Sequence, residues 1–434
     1  MLQVKKMLRS LWFIGLGVMF TLSVAAQTET CPELVQTALA QIGDSCGSLG
    51  RNQACYGNIL INATGEGGTT LENFGTSGDV VDVTAIQTLQ TAPLDVENQT
   101  WGVAVMALQA NLPDTLPGQN VTIILFGDVL LENDDTAEAI SADDGFSAPM
   151  QAFRFSAGLG QPACTEAPRD GVLVQAPSQT TVNLRVNGVD VEVGSTALLL
   201  PLDEDGDGID DGDGLEVSTF DGLVRVTSGG ETQEIHPGSW SVIEEGFAPR
   251  EPRPYDLDVV GSAPFGLLPE QIDIPLGLNV ALNKPVTVSN EITGNTPDEN
   301  HPAEHAVDGI AETLEESSAE DSVDNWWGSG DFAPQWIEID LENAYAIGQI
   351  RLLPSQFPTS TYTVHQIWGR GPGTDNVYVF LTELSGVTND LEWIEVTPDE
   401  AWQGIQSIRV ETLESDSWVS WREIEVIAVF PDQE

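Results

Sequence analysis

The stretch Gln335-Trp-Ile-Glu-Ile-Asp-Leu alternates apolar and polar side chains along its length. Successive side chains of a strand point to opposite faces, so a period of two marks a strand with one face buried. The same period returns in Ile405-Gln-Ser-Ile-Arg-Val-Glu and in Glu423-Ile-Glu-Val-Ile-Ala-Val. Residues 279–434 also hold eight of the eleven tryptophans, enough aromatic volume to fill the space between two sheets. Together these features predict an antiparallel β-sandwich over 279–434.

Further motifs sit around that strand in a fixed order. Asn279-Val-Ala-Leu-Asn-Lys-Pro-Val-Thr-Val-Ser precedes it, followed by Ala306-Val-Asp-Gly. After it come Ile347-Gly-Gln-Ile-Arg-Leu and Arg422-Glu-Ile-Glu-Val. With Gln335-Trp-Ile-Glu-Ile-Asp-Leu, the set resembles the discoidin, or F5/8 type C, domain, a jelly-roll of the galactose-binding-like fold that carbohydrate-binding modules share. The resemblance implies a binding role with ligands held by loops at one end of the sandwich. It also implies a structural calcium at the Asp-Gly turn, with Asp308, Thr313 and Glu423 as ligands, a donor set of the oxygen type calcium takes. Family members place a tryptophan two or three residues after that threonine. Here an acidic insertion, Leu314–Asn325, intervenes before Trp326-Trp327. One of these two is expected in the core and the other on the ligand loop. Trp418, beside Asp416 and Ser417, and Arg370, within the Gly-rich run 369–373, complete the candidate ligand residues. The loop Ser289–Pro302 is a candidate wall.

Working back toward the N-terminus, residues 249–278 hold Pro249, Pro252, Pro254, Pro264, Pro269 and Pro275, which mark 251–278 as a semi-rigid linker. Residues 171–250 hold short apolar runs, 182–186, 189–193, 215–218, 223–227 and 240–243. The hairpin signals Asn187-Gly188 and Ser228-Gly229-Gly230 fall among them. Leu215-Glu-Val-Ser-Thr-Phe-Asp-Gly-Leu-Val-Arg-Val-Thr and His236-Pro-Gly-Ser-Trp-Ser-Val resemble the FecR-type β-domain. FecR regulators carry a cytoplasmic segment before a membrane helix; only about ten residues precede the apolar run here, so a regulatory role is not expected. Residues 27–170 are read as a β-rich domain with a helical start. Leu34, Val35, Leu39 and Ile42 give the helix its apolar face, and Gly43 and Gly47 its end. The fold class is thus mainly β throughout.

Lys5, Lys6 and Arg9 before an apolar run ending at Ala25-Ala26 form a secretory signal peptide over 1–26. An uncleaved N-terminal anchor is the alternative. In the oxidising compartment this implies, Cys31, Cys46, Cys55 and Cys164 are expected to form two disulfides, with three pairings open. The chain has 68 acidic and 15 basic residues and a formal charge of −53. Such a surface repels nucleic acid and anionic membranes and attracts cations. Asp203-Glu-Asp-Gly-Asp-Gly-Ile-Asp-Asp-Gly-Asp-Gly starts like an EF-hand loop, with Asp203, Asp205, Asp207 and Asp211 as candidate calcium ligands. Position twelve is Gly214 rather than glutamate.

Four histidines give little scope for a Ser-His-Asp triad, and Pro302 argues against His301 and His305 as a helical zinc pair. No Gly-x-Ser-x-Gly or phosphate-binding loop is present. The expected function is a secreted or cell-surface, non-catalytic adhesion protein that binds glycan or another extracellular ligand, such as a protein, through the discoidin-like domain. A secreted hydrolase with its site in 27–170 and a structural envelope protein are the alternatives.

Overall fold

The computed structural model describes residues 30–110, 119–134, 149–158, 164, 166–202, 214–293, 300–311 and 325–430. The signal peptide, the Asp203–Asp211 motif and Thr313 lie outside the described residues.

Helix α1 (Cys31–Cys46) opens the described chain. Thr30 precedes it, and its N–H donates to the Glu33 carboxylate at 2.9 Å, satisfying a helix-end donor. Leu34, Val35, Ala38 and Ile42 are buried on one face. The helix runs through Gly43 and stops at Gly47. Disulfides pin both ends, Cys31–Cys164 and Cys46–Cys55.

The strands that follow are β1 (Gln53–Asn58), β2 (Ile61–Thr64), β3 (Val80–Asp82), β4 (Thr88–Thr91), β5 (Val103–Leu108), β6 (Val121–Phe126), β7 (Val129–Asn133) and β8 (Ala152–Ala157). Then come β9 (Gly171–Gln175), β10 (Val182–Val186), β11 (Val189–Val193), β12 (Thr196–Pro201), β13 (Leu215–Asp221), β14 (Val224–Ser228), β15 (Glu231–Ile235), β16 (Ser239–Ile243) and β17 (Arg253–Pro254). They form two facing sheets. One has the order β17-β16-β13-β12-β9-β6-β5-β1-β3, the other β15-β14-β11-β10-β8-β7-β4-β2. The chain zigzags between them, often a hairpin at a time. The Asn187-Gly188 signal holds: both residues have positive φ and join β10 to β11.

The expected boundary between 27–170 and 171–250 is not a break in this structure. Thr122–Phe126 of β6 pairs with Gly171–Gln175 of β9 across it, and one apolar core runs from Ala54 to Ile243. The FecR-like stretch is one half of a continuous double-sheet body. Its turns were legible because turn chemistry is local; the β6–β9 pairing was not, because periodicity carries no partner information. The Pro-rich segment is likewise no free spacer. Tyr255, Val260 and Leu268 are buried against α1 and the first sheet, and the Gln175 side-chain amide donates to Glu270 O at 2.9 Å and accepts from Glu270 N at 3.0 Å.

The C-terminal sandwich contains β18 (Leu278–Asn279), β19 (Val286–Val288), β20 (Trp327–Gly328), β21 (Gln335–Pro354), β22 (Ser360–Arg370), β23 (Val379–Asn389), β24 (Ile394–Val396), β25 (Trp402–Glu414) and β26 (Ser420–Val429). Its main order is β18-β26-β21-β25-β22-β23, with β19 and β24 on β21 and β20 on β26. The alternation around Trp336 is realised: Ile337, Ile339 and Leu341 are fully buried, and Trp336 and Glu338 face the other way. Each buried aliphatic side chain of this kind contributes about 1.5–3 kcal/mol. The chain enters the sandwich through Gly277, where a Cβ would fall 2.0 Å from Ala428 O.

One core histidine makes this packing sensitive to acid. His365 of β22 is 4% exposed, with Nδ1 2.9 Å from Thr412 Oγ1. Burial pulls its pKa from 6.5 down to about 4. Between those values the unfolded chain binds a proton that the folded chain does not, so stability falls as pH drops through this window. The contribution is about 3 kcal/mol. Denaturant unfolding at pH 7 and pH 4 should show a smaller acid loss in His365→Asn than in wild type; equal losses would contradict the assignment.

Candidate functional site

Loops at one end of the sandwich surround a groove of about 570 Å³. The exit of β21 supplies Ser355, Gln356, Phe357 and Thr359. The β23–β24 turn supplies Asp390, and the β25–β26 turn supplies Asp416, Ser417 and Trp418. Trp326, Phe332, Ser420 and Arg422 complete the lining.

The loops are cross-tied by hydrogen bonds. Phe357 N–H donates to Ser417 Oγ at 3.0 Å, and Gln356 N–H to Asp390 Oδ1 at 2.9 Å. Val419 N–H donates to Asp331 O at 3.1 Å. The aromatic rings are left open to solvent: Phe357 is 84% exposed, Phe332 53% and Trp418 49%. Trp326 is held from behind by the His301 ring, with centroids 3.5 Å apart and planes 18° apart. A Cβ on Gly328 would lie 2.3 Å from the Trp326 ring, so a glycine is needed for the indole to lie over that backbone. Rigid aromatic faces next to fixed polar groups can stack on the C–H face of a ring while bonding its hydroxyls.

The structure sorts the expected ligand residues. Trp326 and Trp418 meet in the groove. Trp327 does not: it is fully buried in the core, in register with Trp421, so it cannot stack on a ligand. Of two adjacent strand-edge tryptophans one must face inward, and sequence alone left open which. Arg370 is also elsewhere. It lies on an outer sheet face, 3.3 Å from Glu338 and over the Tyr378 ring. Its Gly-rich surroundings form a strand end rather than a ligand loop. The sequence reading missed Phe357, Phe332, Gln356 and Asp390. Phe357-Pro358, an aromatic before a proline at a strand exit, was the one available signal.

Asp308 and Glu423 come together at the Asp308-Gly309 turn. Gly309 N–H donates to Glu423 Oε2 at 3.2 Å, and Asn325 Nδ2 donates to Asp308 Oδ2 at 2.7 Å. Glu423 is fully buried and its Oε1 has no hydrogen-bond partner. Burial first, then the Asp308 and Glu425 charges, push its pKa up to about 9. No group of three or more His, Cys, Asp or Glu side chains placed to hold a metal ion occurs among the described residues.

Another acidic pair sits in the double-sheet body. A Cβ on Gly158 would lie 3.0 Å from Asp128 Oδ2 and 3.1 Å from Asp170 Oδ2, so both carboxyls converge there. Burial raises the Asp170 pKa to about 6. Asp128 also lines a cavity of about 300 Å³.

No protein-family model matches the chain, and no curated protein matches it. Solved structures do. A family 32 carbohydrate-binding module of C. perfringens NanJ in complex with galactose is 17% identical, over 33% of this chain and 93% of that one, with a TM-score of 0.26. A chitosan-binding module from a Paenibacillus sp. IK-5 chitosanase/glucanase is 21% identical, over 35% and 99%, with a TM-score of 0.26. A Streptococcus pneumoniae fucose-binding module is 21% identical, over 35% and 95%, with a TM-score of 0.24.

Glu423 gives this region a pH signature. A carboxyl raised above its ordinary 4.5 leaves stability intact below that value and costs stability as pH rises toward about 9. In chelator, unfolding measured between pH 5 and 9 should show this decline in wild type and a flatter profile in Glu423→Gln. Parallel profiles would contradict the assignment.

Proposed function

We propose that the chain is a secreted, non-catalytic glycan-binding protein. The observation that carries the reading is the groove in which Phe357, Phe332 and Trp418 stand exposed and Trp326 is half-buried, beside Gln356, Asp390, Asp416 and Arg422. Monomeric surfaces seldom leave large aromatic rings clustered in the open without a ligand to cover them. A sugar ring satisfies both halves of that lining, the apolar and the hydrogen-bonding. Two disulfides support an extracellular location. The loop end is grooved and aromatic rather than flat and polar, which weighs against a purely structural role.

Calcium belongs to the same reading. Asp308 and Glu423 would give carboxylate oxygens to a hard divalent cation, and the unpartnered Glu423 Oε1 fits that donor type. The cation would neutralise the pair and fix the turn. Binding requires Glu423 to lose its proton, so apparent affinity should rise about tenfold per pH unit below about 9.

Retention of the full chain on immobilised glycans, with calcium and with chelator, tests the reading. Wild type should be retained by at least one glycan class, and Trp418→Ala and Phe357→Ala should each weaken retention about tenfold or more. No retention by folded wild-type protein would overturn it in favour of a protein partner.

A second reading, hydrolysis in the double-sheet body, is favoured by the Asp128–Asp170 convergence. Release of reducing ends from the same glycans, lost in Asp170→Asn, would establish it. Absence of release by wild type would remove it.

A further inference from the structure

We propose that the groove is the first of two subsites and continues over the β23–β24 turn into a second cavity, so that the chain recognises a linear oligosaccharide of neutral or amino sugars rather than a single sugar. The inference rests on the glycan reading above. The second cavity, about 340 Å³, is lined by His365, Leu384, Val387, Trp393, Ile394 and Glu395.

The two cavities share a wall. Gln356, in the first groove, donates its side-chain amide to Thr388 O at 2.7 Å and accepts from Thr388 Oγ1 at 3.0 Å. Its own N–H holds Asp390. Thr388 and Asn389 line the second cavity, and Asp390 lines the first. The ridge between them is therefore one short turn, clamped from the groove side. Leu391 in that turn has φ +63°, a conformation leucine avoids, and Asp390 N–H to Thr359 O (2.8 Å) and Leu391 N–H to Pro354 O (3.3 Å) hold it there. Strain of this kind concentrates at ligand clamps.

The inner wall of the second cavity holds a buried polar atom that the protein leaves unpaired. His365 is 4% exposed, and its Nε2 has no partner. Whichever tautomer Thr412 selects at Nδ1, the unpaired Nε2 makes the inner wall of the cavity polar beneath its opening, which favours a hydroxyl-bearing ligand over an apolar one. Trp393 supplies an apolar wall, its ring fixed by the Arg351 guanidinium 4.2 Å from the centroid. The charges lining the path are Asp390 and Asp416 in the first cavity and Glu392 and Glu395 in the second, against Arg422. Arg351 pairs with Glu395 at 2.8 Å. Carboxylate- or sulfate-bearing sugars would meet repulsion on this surface, and neutral or ammonium-bearing ones would not.

Calorimetry on the full chain tests this, with two probes: the glycan retained in the array and the monosaccharide at its non-reducing end. Wild type should bind the oligosaccharide at least about tenfold more tightly. Trp393→Ala and Val387→Glu should each remove that advantage and leave monosaccharide binding unchanged; Val387 is 68% exposed, so its replacement leaves the fold intact. Trp418→Ala should weaken both. Equal affinity for the two probes, or an oligosaccharide advantage untouched by both second-cavity variants, would overturn the two-subsite reading while the glycan reading stands. Retention of a sialylated or sulfated glycan would overturn the charge selection. Failure of wild type to bind either probe would remove both readings together.

Discussion

The long strand β21 is the constraint on which the sandwich and its groove depend. Its first half pairs with β25, from Gln335↔Thr412 to Ile347↔Trp402. Its second half pairs with β26, from Ala346↔Val429 to Pro354↔Trp421. It also takes β24 at Ile350–Leu352. Three of the loops that build the groove are the exit of β21, the turn between β25 and β26, and the turn before β24. Each is the end of a strand hydrogen-bonded to β21 or of β21 itself. A slip of one residue there would turn Ile337, Ile339 and Leu341 out of the core and misplace all three loops.

That strand was also the most readable part of the sequence, for the same reason. Burial on one face imposes a period of two, and the period is written in the residues. The helix of 31–46, the Asn187-Gly188 hairpin and the disulfide count were legible on similar local grounds. Long-range pairing was not. Nothing in Val121–Phe126 or Gly171–Gln175 announces that they are neighbours, so one continuous body was divided at 170/171. Apolar packing of the Pro-rich stretch was hidden too, because Tyr255, Val260 and Leu268 are spaced irregularly.

At the site, residue type was legible and orientation was not. Trp326, Trp327 and Trp418 were all candidates; the fold exposes Trp418, leans Trp326 on His301 and buries Trp327. Arg370 is drawn away by Glu338, a carboxylate it shares with Arg409. The discoidin-like motifs pointed at Asp308 and Glu423, and burial explains why that pair matters: a buried carboxyl brought beside a second acid is held well above its usual range. A cation would relieve the conflict, and a surface with a formal charge of −53 concentrates cations.

The central claim is that the exposed aromatic groove is where glycan binds. Tryptophan fluorescence of the full chain, titrated with the retained glycan, tests it most directly. The account predicts a saturable change that Trp418→Phe diminishes and Trp336→Phe, on the outer sheet face, leaves intact. A change preserved in Trp418→Phe and lost in Trp336→Phe would contradict it and move the site to the face that holds Arg370 and Arg409.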